Sequence, residues 1–424
     1  MSPDLVVIGG GINGAGIARD AAMRGLKVHL IEKNDWSFGT SSRSSMLAHG
    51  GVRYLEQFEF GLVHEALQDR ERMFRQAPHL VKPLRFYYPL YPDVANRRTV
   101  RVGLFLYDVL SHGKSVDGRD FHRKKEFLER FPGISPEGLK GAASYTDGQI
   151  RSVERFVTEL IWDAKQHGAT CWNHAEVTRI TREGGAVTGV EVKRGNQTTH
   201  IACKNVINAT GAWTDHVLRE VSPGKKVRTT KGVHLFLPRF IEEALIVKAT
   251  DGRTFFFIPW HQYTMVGTTD TEENGDPAQC HATDEDVSYL VEAGRRFFPD
   301  APWDHVLFTY AGVRPLVNEE GLTESAITRR HVLFDHEEKE GLEGLWTLQG
   351  GKITTYRSLA EDAVDAVSKR RDWPISHPTR KGTLPGGPLV PWESYRLEAI
   401  ATATSTGIPQ KCAERLLDFY GARW

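Results

Sequence analysis

Gly9, Gly11 and Gly14 punctuate the stretch Gly9-Gly10-Gly11-Ile12-Asn13-Gly14-Ala15-Gly16, and a carboxylate, Glu32, follows at the end of the next apolar run. Residues of these types at this spacing can hold a dinucleotide. A glycine at the first position takes backbone angles closed to other residues, the second lets the main chain approach a pyrophosphate, and the third lets a helix pack on a strand. An acid about 20 residues beyond the glycines is placed to accept the two hydroxyls of an adenosine ribose. The elements needed to position these groups are all present in order. Leu5-Val6-Val7-Ile8 reads as a buried strand, a small-residue helix runs from about Asn13 to Arg24 with its positive end toward the phosphates, and Lys27 to Glu32 reads as a second parallel strand.

At 424 residues the chain is long enough for two domains and part of a third. Lys+Arg and Asp+Glu both number 54, so net charge favours neither nucleic acid nor an acidic surface as partner. Cys171, Cys203, Cys280 and Cys412 lack CxxC spacing, which argues against zinc, iron–sulfur clusters and a redox disulfide and for a reducing cytosol. The first strand starts within a few residues of Met1, leaving no room for a secretion signal, and no apolar run approaches the roughly 20 residues of a membrane span. Any membrane contact is therefore expected to be peripheral, and oligomeric state stays open, a dimer included.

Beyond Glu32 comes a small polar loop, Thr40-Ser41-Ser42-Arg43-Ser44-Ser45, and then His49-Gly50-Gly51-Val52-Arg53-Tyr54, both suited to a chain passing close to a ligand. Gly61 to Gln76 has apolar residues at helical spacing and charge on the other face, the pattern of a surface helix. Prolines 78, 83, 89 and 92 break the following segment into a loop-rich excursion. A further amphipathic helix spans Val153 to His167, Val187 to Val192 alternates as a strand, and Asn205 to Gly211 is a buried strand ending in a turn. Strands at Val233 to Leu237, Phe255 to Ile258 and Tyr263 to Val266 suggest an antiparallel sheet, and the helix from Thr354 to Lys369 returns to strand–turn–helix logic. The expected fold is α/β: a discontinuous Rossmann-like dinucleotide domain (1–80, 145–230, 310–372), an antiparallel substrate domain (81–144, 231–309) and a partial helical domain (385–424).

Two late glycine turns, Ala209-Thr210-Gly211 and Gly350-Gly351-Lys352 followed by Thr354, resemble the contacts by which flavin enzymes of the glutathione-reductase type thread FAD through a whole domain. No second fingerprint for a separate nicotinamide domain is present. The segments IGGGINGAGIARDAAMRGL, HGGVRYLEQFEFGLVHEAL, INATGAW, KGVHLFLP, VGTTDTEENGDP, AGVRPL, AITR and GGKITTYRSLAEDAV together resemble the FAD-dependent glycerol-3-phosphate dehydrogenases over residues 4 to 400. The resemblance implies noncovalent FAD and oxidation of sn-glycerol 3-phosphate to dihydroxyacetone phosphate, with quinone as electron acceptor. It also implies phosphate contacts from Arg53, Arg314 and Arg329, with Tyr54 beside the first and Thr269 nearby. His234 matches the position of a base for the C2 hydroxyl, and Lys352 stands near the flavin ring or the substrate oxygen. An arginine fork suits a phosphate because it can hold two oxygens at once. An oxidase using oxygen, an amine or amino-acid oxidase, and a non-catalytic flavin binder share enough of this pattern to stay open.

Two residues depart from the family pattern: Met46, where lysine is usual, and Glu273, where an aromatic is usual. Both leave room for a changed substrate or acceptor. Phe86, Tyr87, Tyr88, Leu90, Tyr91, Leu104 and Phe105, together with Arg85, Arg97, Arg98 and Arg101, could meet the cytoplasmic face of an anionic bilayer.

Overall fold

Leu5–Ile8 sits at the centre of a six-stranded sheet, and none of its four residues exceeds 4% exposure. Such an uninterrupted apolar run is what a parallel strand covered on both faces requires. In this computed structural model, which describes residues 2–92, 97–318 and 330–424 without the side chains of Arg53 and Glu56, the strand is flanked by parallel Val28–Ile31 and Val206–Asn208. Thr170–Trp172 and Leu345–Gln349 extend the parallel set on either side, and Val332–Asp335 closes one edge in antiparallel sense. Helix Ile12–Met23 lies directly on the central strand because Gly14 has no side chain: a Cβ there would stand 1.9 Å from the Gly9 carbonyl oxygen. Gly16 plays the same part toward helix Tyr356–Arg370, with 2.9 Å between its missing Cβ and the Tyr356 ring.

A second, ten-stranded sheet is antiparallel except where Ala244–Lys248 runs parallel to Val81–Pro89. Its longest strand, Val227–Pro238, pairs with Phe308–Val317 on one side and with Tyr263–Gly267 on the other, so that His234 stands between Tyr310 and Gly267. The short strand Leu47–Ala48, which follows the dinucleotide turns, joins this sheet beside Gly141–Ile150 and links it to the parallel one. A separate meander of Glu176–Glu183, Ala186–Arg194 and Gln197–Ala202 completes the strands.

Two sequence expectations need correction. The proline-punctuated excursion is not loop: Val81–Pro89 is a strand paired along its length with Gly141–Ile150. Its prolines are tolerated because only Phe86 and Tyr87 also pair on the second edge. Phe86, Tyr87, Leu90, Tyr91 and Leu104 are all under 7% exposed, so they are core and not a lipid-facing surface. Helix Phe60–Gln76 is likewise no ordinary surface helix. Asp69, Arg70 and Glu71 are buried on it and paired with groups from other elements, which periodicity alone does not reveal.

Helices Trp392–Ser405 and Gln410–Tyr420 pack on each other and dock against the body through Lys82 over the Trp392 ring, Arg151 with Asp418, and Arg423 with Glu159. His79 is fully buried at this junction, against Gly386 and Gly421. Burial, reinforced by the charges of Lys82, Arg155 and Arg423, pushes its imidazole down to about 3. Because the folded chain refuses a proton that the unfolded chain accepts below about 6.5, His79 costs stability progressively as pH falls from that value toward 3, about 2 kcal/mol at pH 5. Thermal melts of His79→Leu at pH 7 and pH 5 should show a smaller acid-induced drop than wild type; parallel drops would contradict the assignment.

Candidate active site and nucleotide cradle

A cavity of about 750 Å³ opens at the carboxyl ends of the parallel strands and runs beneath the large sheet. This is where ligands bind in open α/β sheets. One end is a cradle without side chains. Gly9 adopts φ +108°, and a Cβ on it would meet the Ala209 carbonyl at 2.6 Å. Gly11 caps helix Ile12–Met23, whose first amide, that of Ile12, donates to the Ser41 hydroxyl at 3.0 Å. Glu32 accepts from the amides of Gly10 at 2.6 Å and Asn34 at 2.8 Å, while burial raises its carboxyl above the usual range. The buried Asn13 Oδ1 has no hydrogen-bond partner among the described residues, an open position on the wall of the cradle.

The later turns close the same cavity from the other side. Ala209, Thr210 and Gly211 line it, the Thr210 hydroxyl being held by Asn208 Oδ1 at 2.6 Å. Gly350 and Gly351 both have left-handed φ, +67° and +93°, which explains glycine at each. Thr354 lines the cavity and fastens the next segment, accepting from the His49 amide at 2.9 Å and donating to the His49 carbonyl at 3.1 Å. Thr40 reaches the Val313 carbonyl and so ties the polar loop to the large sheet. Gly14 and Ser42 are not among the lining residues: Gly14 serves helix packing, and Ser42 donates within its own loop to Phe38 and Gly39 carbonyls.

The same cavity is lined by His234, Arg314, Thr269, Tyr54 and Lys352. His234 is 2% exposed, with Nε2 at 2.9 Å from Ser45 Oγ. Burial first, and then the Arg314 charge, hold its imidazole down to about 3, so it is neutral at physiological pH. The Lys352 ammonium lies 4.3 Å from the centre of the Tyr54 ring. The guanidinium of Arg314 is already fixed: Nη1 donates to Asp270 Oδ1 at 3.0 Å and the Lys231 carbonyl at 3.4 Å, and Nη2 to Thr268 Oγ1 at 2.8 Å and the Thr269 carbonyl at 3.1 Å. Gly232 makes room for it, since a Cβ there would lie 2.1 Å from Nη2. The hydroxyl of Thr269 is spent on the Val233 amide at 3.0 Å.

Arg329 lies outside the described residues, and of Arg53 only the backbone position beside Tyr54 is described. Met46 is 2% exposed in the core, and Glu273 pairs with Thr229 and the Gly275 amide; neither lines the cavity. Ser45, at the end of the polar loop, lines the cavity, whereas sequence reading missed the hairpin residues Lys248, Asp251, Arg253 and Phe256 on its wall. The hairpin follows a parallel strand pairing between distant segments, and no local motif announces it.

The cradle fits a dinucleotide, and comparison with known proteins identifies which. Residues 4–356 match the family model described as FAD dependent oxidoreductase. The chain is 38% identical to a glycerol-3-phosphate dehydrogenase of Synechocystis, covering 99% of this chain and 79% of that one. It is 36% identical to an aerobic glycerol-3-phosphate dehydrogenase of Staphylococcus aureus, covering 99% and 78% respectively. Among solved structures, the glycerol-3-phosphate dehydrogenase of Bacillus halodurans complexed with FAD superposes with TM-score 0.81 at 31% identity, covering 99% of this chain and 76% of that one. A branched side chain at Gly11 would fill the approach to the pyrophosphate while leaving the sheet intact. Gly11→Val should therefore purify folded but colourless, with little flavin released on acid precipitation; full flavin content would contradict the assigned turn.

Proposed function

Because this chain belongs to the FAD-dependent glycerol-3-phosphate dehydrogenase family, we propose that it oxidises sn-glycerol 3-phosphate to dihydroxyacetone phosphate and passes the electrons to a quinone. The observation that carries this reading is the continuity of one cavity from the glycine cradle to His234, Arg314 and Lys352. FAD, held noncovalently by the cradle and the two late turns, supplies the acceptor for a hydride.

The protein's own groups account for the rest of the balance. As the C2–H bond leaves with its electron pair, the C2 hydroxyl loses a proton, and a neutral imidazole at His234 is the base placed to take it. The free site holds that imidazole far from protonation. A phosphate dianion beside Arg314 offsets the guanidinium charge, one of the two causes of that depression, so substrate binding raises the proton affinity of the base. Lys352 stabilises negative charge developing on the substrate oxygen. Arg314 serves the phosphate as a fixed cation, because its terminal nitrogens are already held by Asp270, Thr268 and two carbonyls. Arg53 and Arg329 join it as phosphate contacts on the strength of the family motif.

Membrane contact, in this reading, falls to the outer face of helix Arg97–Leu110. Val102, Phe105 and Val109 are 59%, 50% and 56% exposed on it, Phe58 is 78% exposed, and Arg97, Arg98 and Arg101 are exposed beside them. Basic residues near an anionic surface contribute roughly 1 kcal/mol each. Among the described residues no helix is long and apolar enough to cross a membrane.

Anaerobic glycerol 3-phosphate should bleach the flavin, a soluble quinone should restore it rapidly without peroxide, and air should restore it far more slowly; rapid reoxidation by air with peroxide formation would make oxygen the acceptor. Arg314→Lys should keep its flavin yet require at least tenfold more substrate, since an ammonium cannot reproduce the several-point hold and a charge-assisted contact is worth about 1.5–3 kcal/mol. Preference for the phosphate ester over glycerol should shrink in parallel, and wild-type bleaching by the variant would remove the role. Flotation with anionic liposomes at low salt should capture the wild type and lose Phe105→Asp; capture of neither would remove the membrane face.

A further inference from the structure

The sequence places Ser45 only in a polar loop suited to pass close to a ligand, and the structure builds from it a seat for His234 in which this hydroxyl is the polar contact. The ring is bounded on three sides. Tyr310, directly across the ladder, packs against it with 5.1 Å between ring centres and the planes tilted by 49°. Gly267, across the other ladder, leaves the space the ring needs, since a Cβ there would stand 2.6 Å from His234 Cδ2. Ser45 Oγ then meets Nε2 at 2.9 Å.

Ser45 is delivered to that point by contacts on both of its flanks. The Tyr310 hydroxyl donates to the Ser44 carbonyl, so the strand that neighbours His234 also holds the chain that carries Ser45. The Ser44 hydroxyl accepts from the Met46 amide at 3.2 Å, Met46 takes a left-handed φ of +55°, and its carbonyl accepts from the Ile150 amide at 2.8 Å. The two ring nitrogens are not equivalent. Nδ1 is fully buried with no hydrogen-bond partner among the described residues, whereas Nε2 meets a serine that lines the cavity. Any proton exchanged between this ring and a ligand in the cavity must pass Nε2.

We propose that Ser45 is a positioning residue for His234: its hydroxyl donates to Nε2, fixes the ring orientation and keeps the proton of the neutral imidazole on Nδ1. The lone pair then stays on Nε2, the one nitrogen that a substrate hydroxyl can reach. That lone pair takes one donor at a time, so the serine hydroxyl swings off Nε2 as the substrate hydroxyl docks there, and once Nε2 has taken the substrate proton the serine oxygen turns to accept from the new N–H. The proposal rests on the reading of His234 as that base, and the tests separate the two.

Ser45→Ala and Ser45→Thr are compared with wild type as FAD-loaded proteins, flavin content being the check that the fold survives. Anaerobic bleaching by glycerol 3-phosphate across pH should show Ser45→Ala at least tenfold slower at saturation, with KM within about twofold of wild type and a displaced pH midpoint, and Ser45→Thr largely restored. Independently, 15N-histidine NMR, with His234→Gln identifying the signal, should show the Nδ1–H form in wild type and a mixture of both forms in Ser45→Ala. Unchanged ring signals together with an unchanged pH profile would overturn the proposal. Ring signals that depend on Ser45 in a protein that glycerol 3-phosphate does not bleach would uphold the seat and refute the dehydrogenase reading.

Discussion

A single buried carboxylate, Asp147, joins the parts of the molecule that meet at the cavity. It accepts from the Tyr107 hydroxyl at 2.7 and 2.9 Å, from Arg70 Nη1 at 2.8 Å and from the Gly50 amide at 3.2 Å. These donors come from helix Arg97–Leu110, helix Phe60–Gln76 and the turn leading to Tyr54, while Asp147 itself belongs to the large sheet. Burial pushes its carboxyl up and the Arg70 charge opposes that, so the charged state depends on the donors being in place. Breaking one side of such a pair strands a charge and typically costs about 3–5 kcal/mol, although an apolar replacement of the whole set can be neutral. Its value therefore lies in geometry: the turn carrying Tyr54 has one position relative to the sheet.

The residues flanking Arg70 extend the same clamp. Asp69 accepts from Arg357 Nε at 2.9 Å and the Ser358 amide at 3.2 Å, binding the start of helix Tyr356–Arg370, while Glu71 accepts from Ser115. Three consecutive charged side chains thus face three different elements, about 100° apart around one helix. The helix start that Asp69 holds follows directly on Lys352 and Thr354. In this way an ionic cluster outside the cavity fixes both Tyr54 and Lys352, whose cation–ring contact forms part of the wall.

Local chemistry was readable in the sequence, and nonlocal chemistry was not. The glycine turns, the helix on Gly14 and the strands Leu5–Ile8, Val28–Ile31 and Val206–Asn208 depend on neighbours within a few residues, and each occurs near its expected limits, whereas Thr170–Trp172 was not expected. The charged face of helix Phe60–Gln76 misled because its partners lie far along the chain: Arg357 is 288 residues from Asp69. The aromatics near Tyr87 misled for a related reason, since amphipathic composition fits either a bilayer or a core until the covering strand is known. Met46 shows the opposite limit. A departure from a family pattern suggested altered chemistry at the ligand, yet the side chain points into the core and only its backbone, beside Ser45, bears on the site.

The reacting end also resolves an apparent conflict in the charge balance. The chain carries equal numbers of acidic and basic side chains, yet Arg314 acts on His234, and Lys352 lines the same cavity, in a partly desolvated space where charges act more strongly than in water. Asp270 compensates Arg314 without removing its field, which still depresses the imidazole. The imidazole of His234 is accordingly held neutral at physiological pH. In the proposed dehydrogenase reading, a dianionic substrate offsets the Arg314 charge and so raises the proton affinity of His234, which a neutral polyol of the same shape does not do. On that reading, discrimination for the phosphate ester and activation of the base are two consequences of one electrostatic arrangement, set by where the Arg314 strand lies beside the His234 strand.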